Sequence, residues 1–326
     1  MMKQLVRKST PILALMLTAT LLMTACGKPQ SPTTGSPAAT PAQESVKSRT
    51  IKHFAGETVI TGKPQKIAAL NPWLIDLMLA LGVKPSSAVP AGPDTKDFSW
   101  YLKDKMAGVT NIGWQSETNF ESILSAAPDL ILANDGMGKG FDQLSKIAPT
   151  VVLKPEETDG AKDWRKTFTV LAGVLEKDEE AKKAIAAYDE KAKQAKEKIA
   201  SVIGNESVMF LRVTSKELRY YGAKNYDILY KDLGLKAPPL FPDNKATFAP
   251  LSMEKLPEIN PDHILILNES NEKLDELKKT AIWSQLKAVK KNQVHPVDYD
   301  LWFQGFGPTA YSLMIDETVK MLTTKQ

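Results

Sequence analysis

The sequence is poor in the side chains that most often bind metals or perform catalysis. Its 326 residues include a single cysteine, Cys26, and three histidines, His53, His263 and His295. One cysteine rules out a disulfide within the chain, and the histidines lack the paired spacing of zinc or manganese sites. No nucleophile elbow, phosphate loop or histidine–carboxylate grouping is present. The sequence therefore predicts no direct metal site and argues against an enzyme.

Arginine is also scarce, although the formal charge is +4 and 42 residues are lysine or arginine. The five arginines are Arg7, Arg49, Arg165, Arg212 and Arg219. The lysines are dispersed over helix faces and loops, so the composition does not indicate nucleic-acid binding. Where this chain does use arginine, the choice is informative, because a planar guanidinium can contact two oxygens at once.

The longest apolar run, residues 11–22, is too short to span a bilayer. Because basic residues precede it, we predict a secretory signal over residues 1–25. The signal ends in MTAC at residues 23–26, which resembles the lipobox of bacterial lipoproteins, although leucine is usual where Met23 stands. In that motif the cysteine is lipidated and becomes the first mature residue, so Cys26 is the predicted lipidation site. A free thiol at Cys26 is the alternative.

Residues 26–48 are rich in Pro, Ser, Thr, Ala and Gln and contain almost no large apolar residues. Such a segment cannot bury a core, so we predict a disordered tether. The remaining chain, about 280 residues, suffices for two lobes of ordinary domain size. We predict an N-terminal lobe at 49–160, an interlobe helix at 161–203 and a C-terminal lobe at 204–326.

A helical pattern from Asp163 to Ile203 separates these lobes, with a break at residues 176–178. Its second part carries one apolar stripe at steps of three and four, formed by Ala184, Ile185, Tyr188, Ala192, Ala195, Ile199 and Val202. Asp178 is the predicted N-cap and Gly204 the predicted C-cap. The helix would be roughly 38 Å long, about the width of a domain. It is typical of a strut between two bodies, and an ordinary surface helix is the alternative.

Similar sequence lies on both sides of this helix. NFESIL at 119–124 with PDLIL at 128–132 recurs as SMEKLP at 252–257 with PDHIL at 261–265, always 133 positions later. FDQL at 141–144 and LDEL at 274–277 keep the same offset. The pattern indicates two lobes of one design.

Short strands alternate with helices in both lobes, which predicts an α/β fold with mostly parallel sheets. In lobe 1 we expect a hairpin at 50–60, strands at 66–70, 129–133 and 150–153, and helices at 74–81 and 141–147. In lobe 2 we expect a hairpin from strands 208–213 and 217–221, strands at 264–267 and 294–297, and a last helix at 309–322.

Ligands of such sheets bind beyond the carboxyl ends of the strands. The segments after those ends are 71–73, 134–137 and 298–303, and lobe 1 has 19 more residues than lobe 2 in a stretch that contains Trp100, Tyr101 and Trp114. We therefore predict an aromatic cleft with few charges. Its predicted aromatic residues are Trp73, Trp100, Trp114, Trp302 and Phe303, and core packing is the alternative for any single one.

Arg212 and Arg219 fall on the first hairpin of lobe 2. Alternation along regular strands places Arg219 and Tyr221 on one face, and we predict that all three bind ligand. Each of the two arginines could contact two oxygens of an anionic ligand at once. Pairing with an acid such as Glu217 is the alternative.

Several motifs, each weak alone, together resemble the ferric-siderophore binding lipoproteins of bacterial ABC importers, of the iron-hydroxamate type. They are the lipobox and tether, PQKIAAL at 64–70, LGVKP at 81–85, NFE at 119–121 with PDLI at 128–131, IAPT at 147–150, and Trp302 with GFGP at 305–308. The resemblance covers residues 50–323. It implies a periplasmic-binding-protein architecture with two Rossmann-like lobes on a rigid helix, and small closure on binding.

The resemblance also implies partners and a location. Glu121 and Glu254, at equivalent positions of the repeat, would dock on arginines of the permease, although favourable contact with a helix N-terminus could explain either residue. The expected ligand is a ferric siderophore of the hydroxamate or mixed citrate–hydroxamate type. No intrinsic cofactor is expected, and iron enters only within the siderophore. The expected protein is a monomer, lipid-anchored at Cys26 on the extracytoplasmic face of the cell membrane of a Gram-positive bacterium, serving a permease with a cytoplasmic ATPase.

Other ligands remain open at this point. Haem would use an axial residue such as Met137 or Tyr299, and cobalamin binders share the fold and both docking glutamates. Catecholate siderophores carry more negative charge and would favour a larger basic cluster than the sequence offers. A lipid-anchored enzyme is the remote alternative.

Overall fold

The computed structural model describes residues 47–90, 97–114, 117–154, 157–158, 161–162, 164–224, 226–241 and 248–324. For residues 137–139, 157–158 and 161–162 it describes the backbone only. The chain divides into two units, Met1–Ser45 and Val46–Gln326, and every described residue lies in the second. The predicted signal, Cys26, nearly all of the predicted tether and Asp163 lie outside the described residues. None of the helices in the described part is long and apolar enough to cross a membrane.

The N-terminal lobe is built around a five-stranded parallel sheet. Its strands are β1 (Ser48–His53), β2 (Gly56–Thr61), β3 (Ile67–Ala69), β4 (Ser87–Ala88), β5 (Thr110–Asn111), β6 (Gly113–Trp114), β7 (Glu117–Thr118), β8 (Leu130–Asn134), β9 (Thr150–Leu153), β10 (Glu157–Thr158) and β11 (Ala161–Lys162). Its helices are α1 (Pro72–Ala80), α2 (Phe120–Ala126) and α3 (Phe141–Leu144), with 3-10 turns at Lys103–Met106 and Asp135–Gly140. The sheet order is β5-β4-β3-β8-β9, and β1–β2, β6–β7 and β10–β11 form separate antiparallel pairs.

Two helices connect the lobes, α4 (Trp164–Leu175) and α5 (Asp178–Ile203). The C-terminal lobe contains strands β12 (Val208–Val213), β13 (Leu218–Tyr220), β14 (Ala249–Leu251), β15 (His263–Asn268) and β16 (Val294–Val297). Its helices are α6 (Leu256–Ile259), α7 (Asn271–Lys278), α8 (Ala281–Gln285), α9 (Lys287–Lys290) and α10 (Pro308–Thr323), with a 3-10 turn at Met253–Lys255 and π-helical turns at Ile228–Asp232 and Asp300–Gln304. The sheet order is β14-β13-β12-β15-β16.

These elements confirm the predicted α/β fold with two sheets and flanking helices joined by one long helix. Strands β9 and β16 have the predicted bounds, and the predicted hairpins are β1–β2 and β12–β13. The predicted tether extends to residue 48, but β1 begins at Ser48. The lobe boundaries themselves stay predictions.

Helix α5 has the predicted apolar stripe along most of its length. Tyr188, Ala192, Ala195 and Ile199 are buried, whereas Val202 is 54% exposed. Asp178 was expected to be the N-cap, which is wrong by one residue, because the first helical hydrogen bond runs from the Ala181 N–H to the Lys177 carbonyl. Gly204 ends the helix with φ +57°, a conformation that favours glycine.

The sequence repeat is also a structural repeat, and equivalent residues of the two lobes form equivalent hydrogen bonds. Helix α2 ends at Ala127 with φ 46°, and α6 ends 133 positions later at Asn260 with φ 39°. Asp129 accepts hydrogen bonds from the Gln65 and Lys66 N–H groups, just before β3.

Asp262, the counterpart of Asp129, accepts from the N–H and the hydroxyl of Ser207, just before β12. In both lobes an aspartate after the helix thus fixes the start of the neighbouring parallel strand.

Helix α10 of the C-terminal lobe packs on α5 and also contacts α1 of the N-terminal lobe. The Asp76 carboxylate on α1 accepts hydrogen bonds from the N–H groups of Thr309, at 3.2 Å, and Ala310, at 2.8 Å. Asp76 is fully buried, and this burial raises the pKa of its carboxyl to about 6. Gly307 has φ +139°, and a Cβ there would lie 2.9 Å from an Asp76 oxygen. The glycine therefore permits a close contact that ties the two lobes together.

Candidate functional site

The parallel strands β12, β15 and β16 end at one edge of the C-terminal sheet, and charged and aromatic residues gather there. Arg212 lies one residue before the end of β12, Glu269 follows β15, and Asp298 follows β16. Because parallel strands present their carboxyl ends together, side chains distant in sequence meet at this edge. We call this edge, with the residues that face it from the N-terminal lobe, the cleft.

The guanidinium group of Arg212 contacts three other side chains. Its Nε and Nη2 groups donate to the two carboxylate oxygens of Glu269, and Nη1 donates to the Tyr221 hydroxyl at 3.1 Å. Its guanidinium carbon lies 3.7 Å from the centroid of the Phe303 ring, a cation–π contact. The side chain is only 9% exposed. Burial lowers the pKa of Arg212, but the bonds to Glu269 and Tyr221 outweigh it and leave the pKa raised.

Arg219 stands directly opposite Arg212 in the antiparallel register of β12 and β13, so the two side chains share one face. The Arg219 Nε donates to Glu217 at 2.7 Å, and the guanidinium lies 4.4 Å from the centroid of the Phe248 ring. Its side chain is 23% exposed, more than that of Arg212. Arg219 therefore pairs with Glu217, which was the alternative interpretation. It also lies at the cleft, as the ligand-binding prediction requires.

Large aromatic side chains with free surface surround these arginines. Trp100 is 51% exposed, and Phe303, Tyr299 and Phe248 are each more than a third exposed. Trp100 belongs to the N-terminal lobe, yet its indole N–H donates to Asp298 of the C-terminal lobe at 2.8 Å. This bond joins the carboxyl edges of the two sheets across the cleft. Exposed aromatic surface at such an edge suits a ligand that is itself partly apolar.

Two carboxylates of lobe 2, Asp298 and Asp300, accept hydrogen bonds from Trp100 of lobe 1. Asp298 accepts from the Trp100 indole and from the Leu301 N–H at 2.9 Å. Burial raises the pKa of Asp300, the charge of Asp298 raises it further, and a hydrogen bond from the Trp100 backbone opposes both. Among the described residues neither carboxylate forms an ion pair. The cleft therefore contains more negative charge than the sequence analysis anticipated.

The aromatic residues predicted to line the cleft differ in how far the structure exposes them. Trp302 is 2% exposed, and it stacks on Phe210 in the core while its indole N–H donates to Glu317 at 2.6 Å. The expectation that Trp302 faces the ligand is corrected, because the π-helical turn at Asp300–Gln304 points its ring into the core and leaves Phe303 outward.

Trp73 is half-buried, with its ring 5.7 Å from that of Phe306. Trp114 is half-buried on β6, and its indole nitrogen is buried with no hydrogen-bond partner among the described residues. Tyr221 is 5% exposed and reaches the site through Arg212. Trp100 and Phe303 are thus the two predicted aromatics that expose the most surface at the cleft.

Sequence reasoning missed Glu269, Phe248 and the role of Asp298 in joining the lobes. Glu269 follows directly after β15, so the strand-end rule that selected residues 298–303 could have found it. Phe248 precedes β14, the edge strand, and no periodicity in the sequence marked it. Only the register between β13 and β14, in which Arg219 faces Pro250, brings Phe248 near Arg219.

Metal and haem ligation can be weighed against the same geometry. Among the described residues no group of three or more His, Cys, Asp or Glu side chains could hold a metal ion. Burial raises the pKa of the Tyr299 hydroxyl, which opposes the phenolate form that ligates haem iron. The Met137 side chain lies outside the described residues.

The two candidate docking glutamates are both exposed. Glu121 lies in the first turn of α2, whose N-cap Asn119 accepts from the Ser122 N–H at 2.9 Å. Glu254 lies in the 3-10 turn that precedes α6, after Ser252, whose side chain makes no capping bond. Neither glutamate has an ion-pair partner among the described residues. Each carboxylate is therefore free to meet a cation on another molecule.

Two α/β lobes on a long helix, with residues at the carboxyl edges of both sheets meeting across a cleft, define a two-lobed ligand-binding protein. Residues 67–300 match the model of a family described as periplasmic binding protein. The chain belongs to the periplasmic binding protein family.

Individual relatives agree with this assignment. The chain is 31% identical to the probable siderophore-binding lipoprotein YfiY of Bacillus subtilis, over 95% of this chain and 97% of that protein. It is 29% identical to the iron(3+)-hydroxamate-binding protein FhuD of the same species, over 76% and 78%. The crystal structure of Staphylococcus aureus SirA complexed with staphyloferrin B superimposes with a TM-score of 0.72 at 29% identity, covering 84% of this chain and 98% of that one. These matches confirm the resemblance to siderophore-binding lipoproteins of ABC importers.

Proposed function

We propose that this protein captures a ferric siderophore, of the hydroxamate or mixed citrate–hydroxamate type, in the cleft and delivers it to an ABC permease for iron uptake. The observation that carries the proposal is the arrangement at the carboxyl edges. Arg219 and the exposed rings of Phe303, Tyr299 and Phe248 lie at the carboxyl edge of lobe 2, and the exposed Trp100 of lobe 1 is bonded to Asp298 at the same edge. The names of the relatives point in the same direction.

The chemistry of a ferric siderophore fits these side chains. Its outer surface combines apolar linkers, which can pack on aromatic rings, with ligand oxygens that carry negative charge around the iron. The terminal amino groups of Arg219 can donate to two of those oxygens at once. Iron is cargo in this proposal, held by the siderophore and not by protein ligands. The protein acts as a binder and performs no reaction.

Delivery would use one glutamate from each lobe, Glu121 and Glu254, against basic residues of the permease. Helix α5 and the contact between Asp76 and α10 hold the lobes in one arrangement, so binding would close the cleft by a small motion only. Cys26 would carry the lipid, with residues 26–48 as a tether long enough to let the lobes reach the permease. The protein would then lie as a monomer on the extracytoplasmic face of a Gram-positive cell membrane, with lobes at 49–160 and 204–326.

The test of anchoring is Cys26→Ala. This variant should leave the membrane fraction while its circular dichroism matches that of the parent, because a single thiol outside the lobes supplies the anchor. Membrane retention of the variant would contradict the lipobox.

The test of ligand capture is a fluorescence titration of a soluble form that begins after Cys26. Ferric siderophores, haem and cobalamin are added in turn, and quenching is compared between the parent and Trp100→Phe. A ferric siderophore should quench the parent with the tightest affinity, and Trp100→Phe should lose much of the signal because Trp100 borders the cleft. Tighter binding of haem or cobalamin than of every siderophore would overturn the proposal.

A further inference from the structure

The guanidinium groups that line the cleft are already neutralised within the protein. Glu269 accepts two hydrogen bonds from Arg212, and Glu217 accepts one from Arg219. Each pair brings one positive and one negative charge to the same place, so together they add no net charge to the cleft.

The two arginines differ in what they can still offer. Three nitrogens of Arg212 are engaged by Glu269 and Tyr221, and Phe303 covers its face. Arg219 donates from Nε alone among the described residues, so both of its terminal amino groups stay available. Arg212 therefore positions Glu269 and Phe303, whereas Arg219 is the guanidinium that can donate to a ligand.

The remaining charge near this edge is negative. Asp298 and Asp300 follow β16 at the same edge, without a cation of their own among the described residues, and Trp100 bonds to both. Among the residues that the structure describes at this edge, carboxylates therefore outnumber unpaired cations, which disfavours a ligand with several negative charges. The Coulomb repulsion would be strong because part of the water is displaced on binding.

We infer that Glu217 and Glu269 set the charge selectivity of this cleft, by holding Arg219 and Arg212 neutralised, so that it takes a ferric complex without net negative charge. An uncharged ferric trihydroxamate meets this condition. Its oxygens carry partial negative charge and can accept hydrogen bonds from Arg219, while the complex as a whole has no net charge. Ferric citrate and ferric tris-catecholate complexes are anions and do not meet it. This inference depends on the proposed function and narrows its ligand class.

The experiment measures affinity for ferrioxamine E, an uncharged ferric trihydroxamate, and for two anions, ferric dicitrate and ferric enterobactin. The parent should bind ferrioxamine E at least tenfold more tightly than either anion. Glu217→Gln and Glu269→Gln should each raise the affinity for the anions about tenfold relative to the affinity for ferrioxamine E. The change should shrink in high salt, because it arises from charge.

Glu276→Gln is the matched control. It removes the same charge from the same lobe, at an exposed position paired with Lys273 on α7, and should alter neither affinity. Glu269→Gln could lower stability because Arg212 is nearly buried, so thermal unfolding is recorded for each variant. Glu217→Gln is the second variant, since Arg219 is more exposed and its folding should be unaffected.

Two results would overturn the inference while leaving the proposed function standing. One is a parent that binds ferric dicitrate or ferric enterobactin as tightly as ferrioxamine E. The other is a pair of Gln variants with the selectivity of the parent. A parent that binds no ferric complex at all would overturn the proposed function and this inference with it.

Discussion

The two lobes share one plan and differ at one strand. In both, a helix with a left-handed end leads to an aspartate that fixes the adjacent parallel strand, Asp129 in lobe 1 and Asp262 in lobe 2. The central strands β3, β8 and β9 correspond to β12, β15 and β16. Beside them, β4 pairs parallel to β3, whereas β13 pairs antiparallel to β12.

This single difference places the charge of the site in lobe 2. A parallel neighbour needs a crossover connection, and the side chains at its carboxyl end come from a loop. An antiparallel neighbour returns directly, so Arg219 stands opposite Arg212 on one face. Lobe 1 instead contributes an aromatic residue, Trp100, from the longer connection that follows β4. The repeated elements form the common framework, and the strand that departs from the repeat carries the arginines that we propose for ligand recognition.

The largest effect is expected where the lobes are alike. Glu121→Ala and Glu254→Ala together should abolish iron uptake, because each removes the one docking carboxylate of its lobe. The affinity for ferric siderophore should not change. Uptake by cells and binding by the purified variant are measured side by side. If affinity falls with uptake, these residues support the cleft or the fold, and the docking role fails.

The next effect should appear where the lobes differ. Arg219→Ala should weaken binding of the ferric siderophore by roughly ten- to a hundredfold, because one charge-assisted contact is worth about 1.5 to 3 kcal/mol. Arg219→Lys should recover part of that loss, since it keeps the charge but not the planar fork. Fluorescence titration gives the affinities.

Arg212→Ala is the matched comparison. It should weaken binding as well, but with a lower midpoint of thermal unfolding, because it removes a nearly buried ion pair. If both arginine variants bind like the parent and fold normally, the role of the hairpin in recognition is wrong.

A third prediction concerns the contact that joins the lobes. Asp76→Ala should lower the free energy of unfolding by about 1 to 3 kcal/mol, because two buried N–H groups at the start of α10 lose their acceptor. Asp76→Asn should lower the free energy of unfolding less, since the amide keeps one oxygen that can accept a hydrogen bond. Urea unfolding monitors both.

Asp275→Ala, an exposed change on α7, serves as the control and should stay within about 0.5 kcal/mol of the parent. Equal stability of the parent and Asp76→Ala would show that Asp76 does not tie the lobes together.

The last effect is negligible at neutral pH, grows only in acid, and concerns a pair that lobe 1 lacks. His263 occupies the position that Leu130 holds in the repeat, and its Nδ1 lies 3.3 Å from Nε2 of His295. Burial, and then the neighbouring His263, lower the pKa of His295 to about 4.

Because the unfolded state binds more protons between about pH 4 and 6.5, the stability should fall as pH decreases through this window, by up to about 3 kcal/mol. His295→Asn should remove that part of the slope. Parallel stability curves for parent and variant from pH 7 to pH 4 would disprove the assignment.

Periodicity and turn chemistry were enough to locate most elements in advance. Strands β9 and β16, the hairpin β12–β13 and helix α5 follow from local patterns, since alternation, apolar stripes and glycine ends act over a few residues. The internal repeat and the scarcity of arginine likewise singled out Glu121, Glu254 and the arginine hairpin, whose roles in docking and ligand binding stay predictions. The prediction of side-chain orientation was wrong at Trp302. This residue follows a strand end as predicted, but in the π-helical turn its ring lies in the core and that of Phe303 is exposed.

The sequence by itself determined the two-lobed plan, the connecting helix and the strand edge that we propose as the ligand site, because each is encoded in contiguous residues. The tertiary structure alone decided the electrostatics of that edge. Glu269 meets Arg212 across 57 positions, and Asp298 meets Trp100 across 198. Such pairs depend on strand order and on the packing of α10 against both lobes, which no local pattern specifies. For this reason the arginines and the nearby Glu217 could be found from the sequence, whereas the pairing of Arg212 with Glu269 could not.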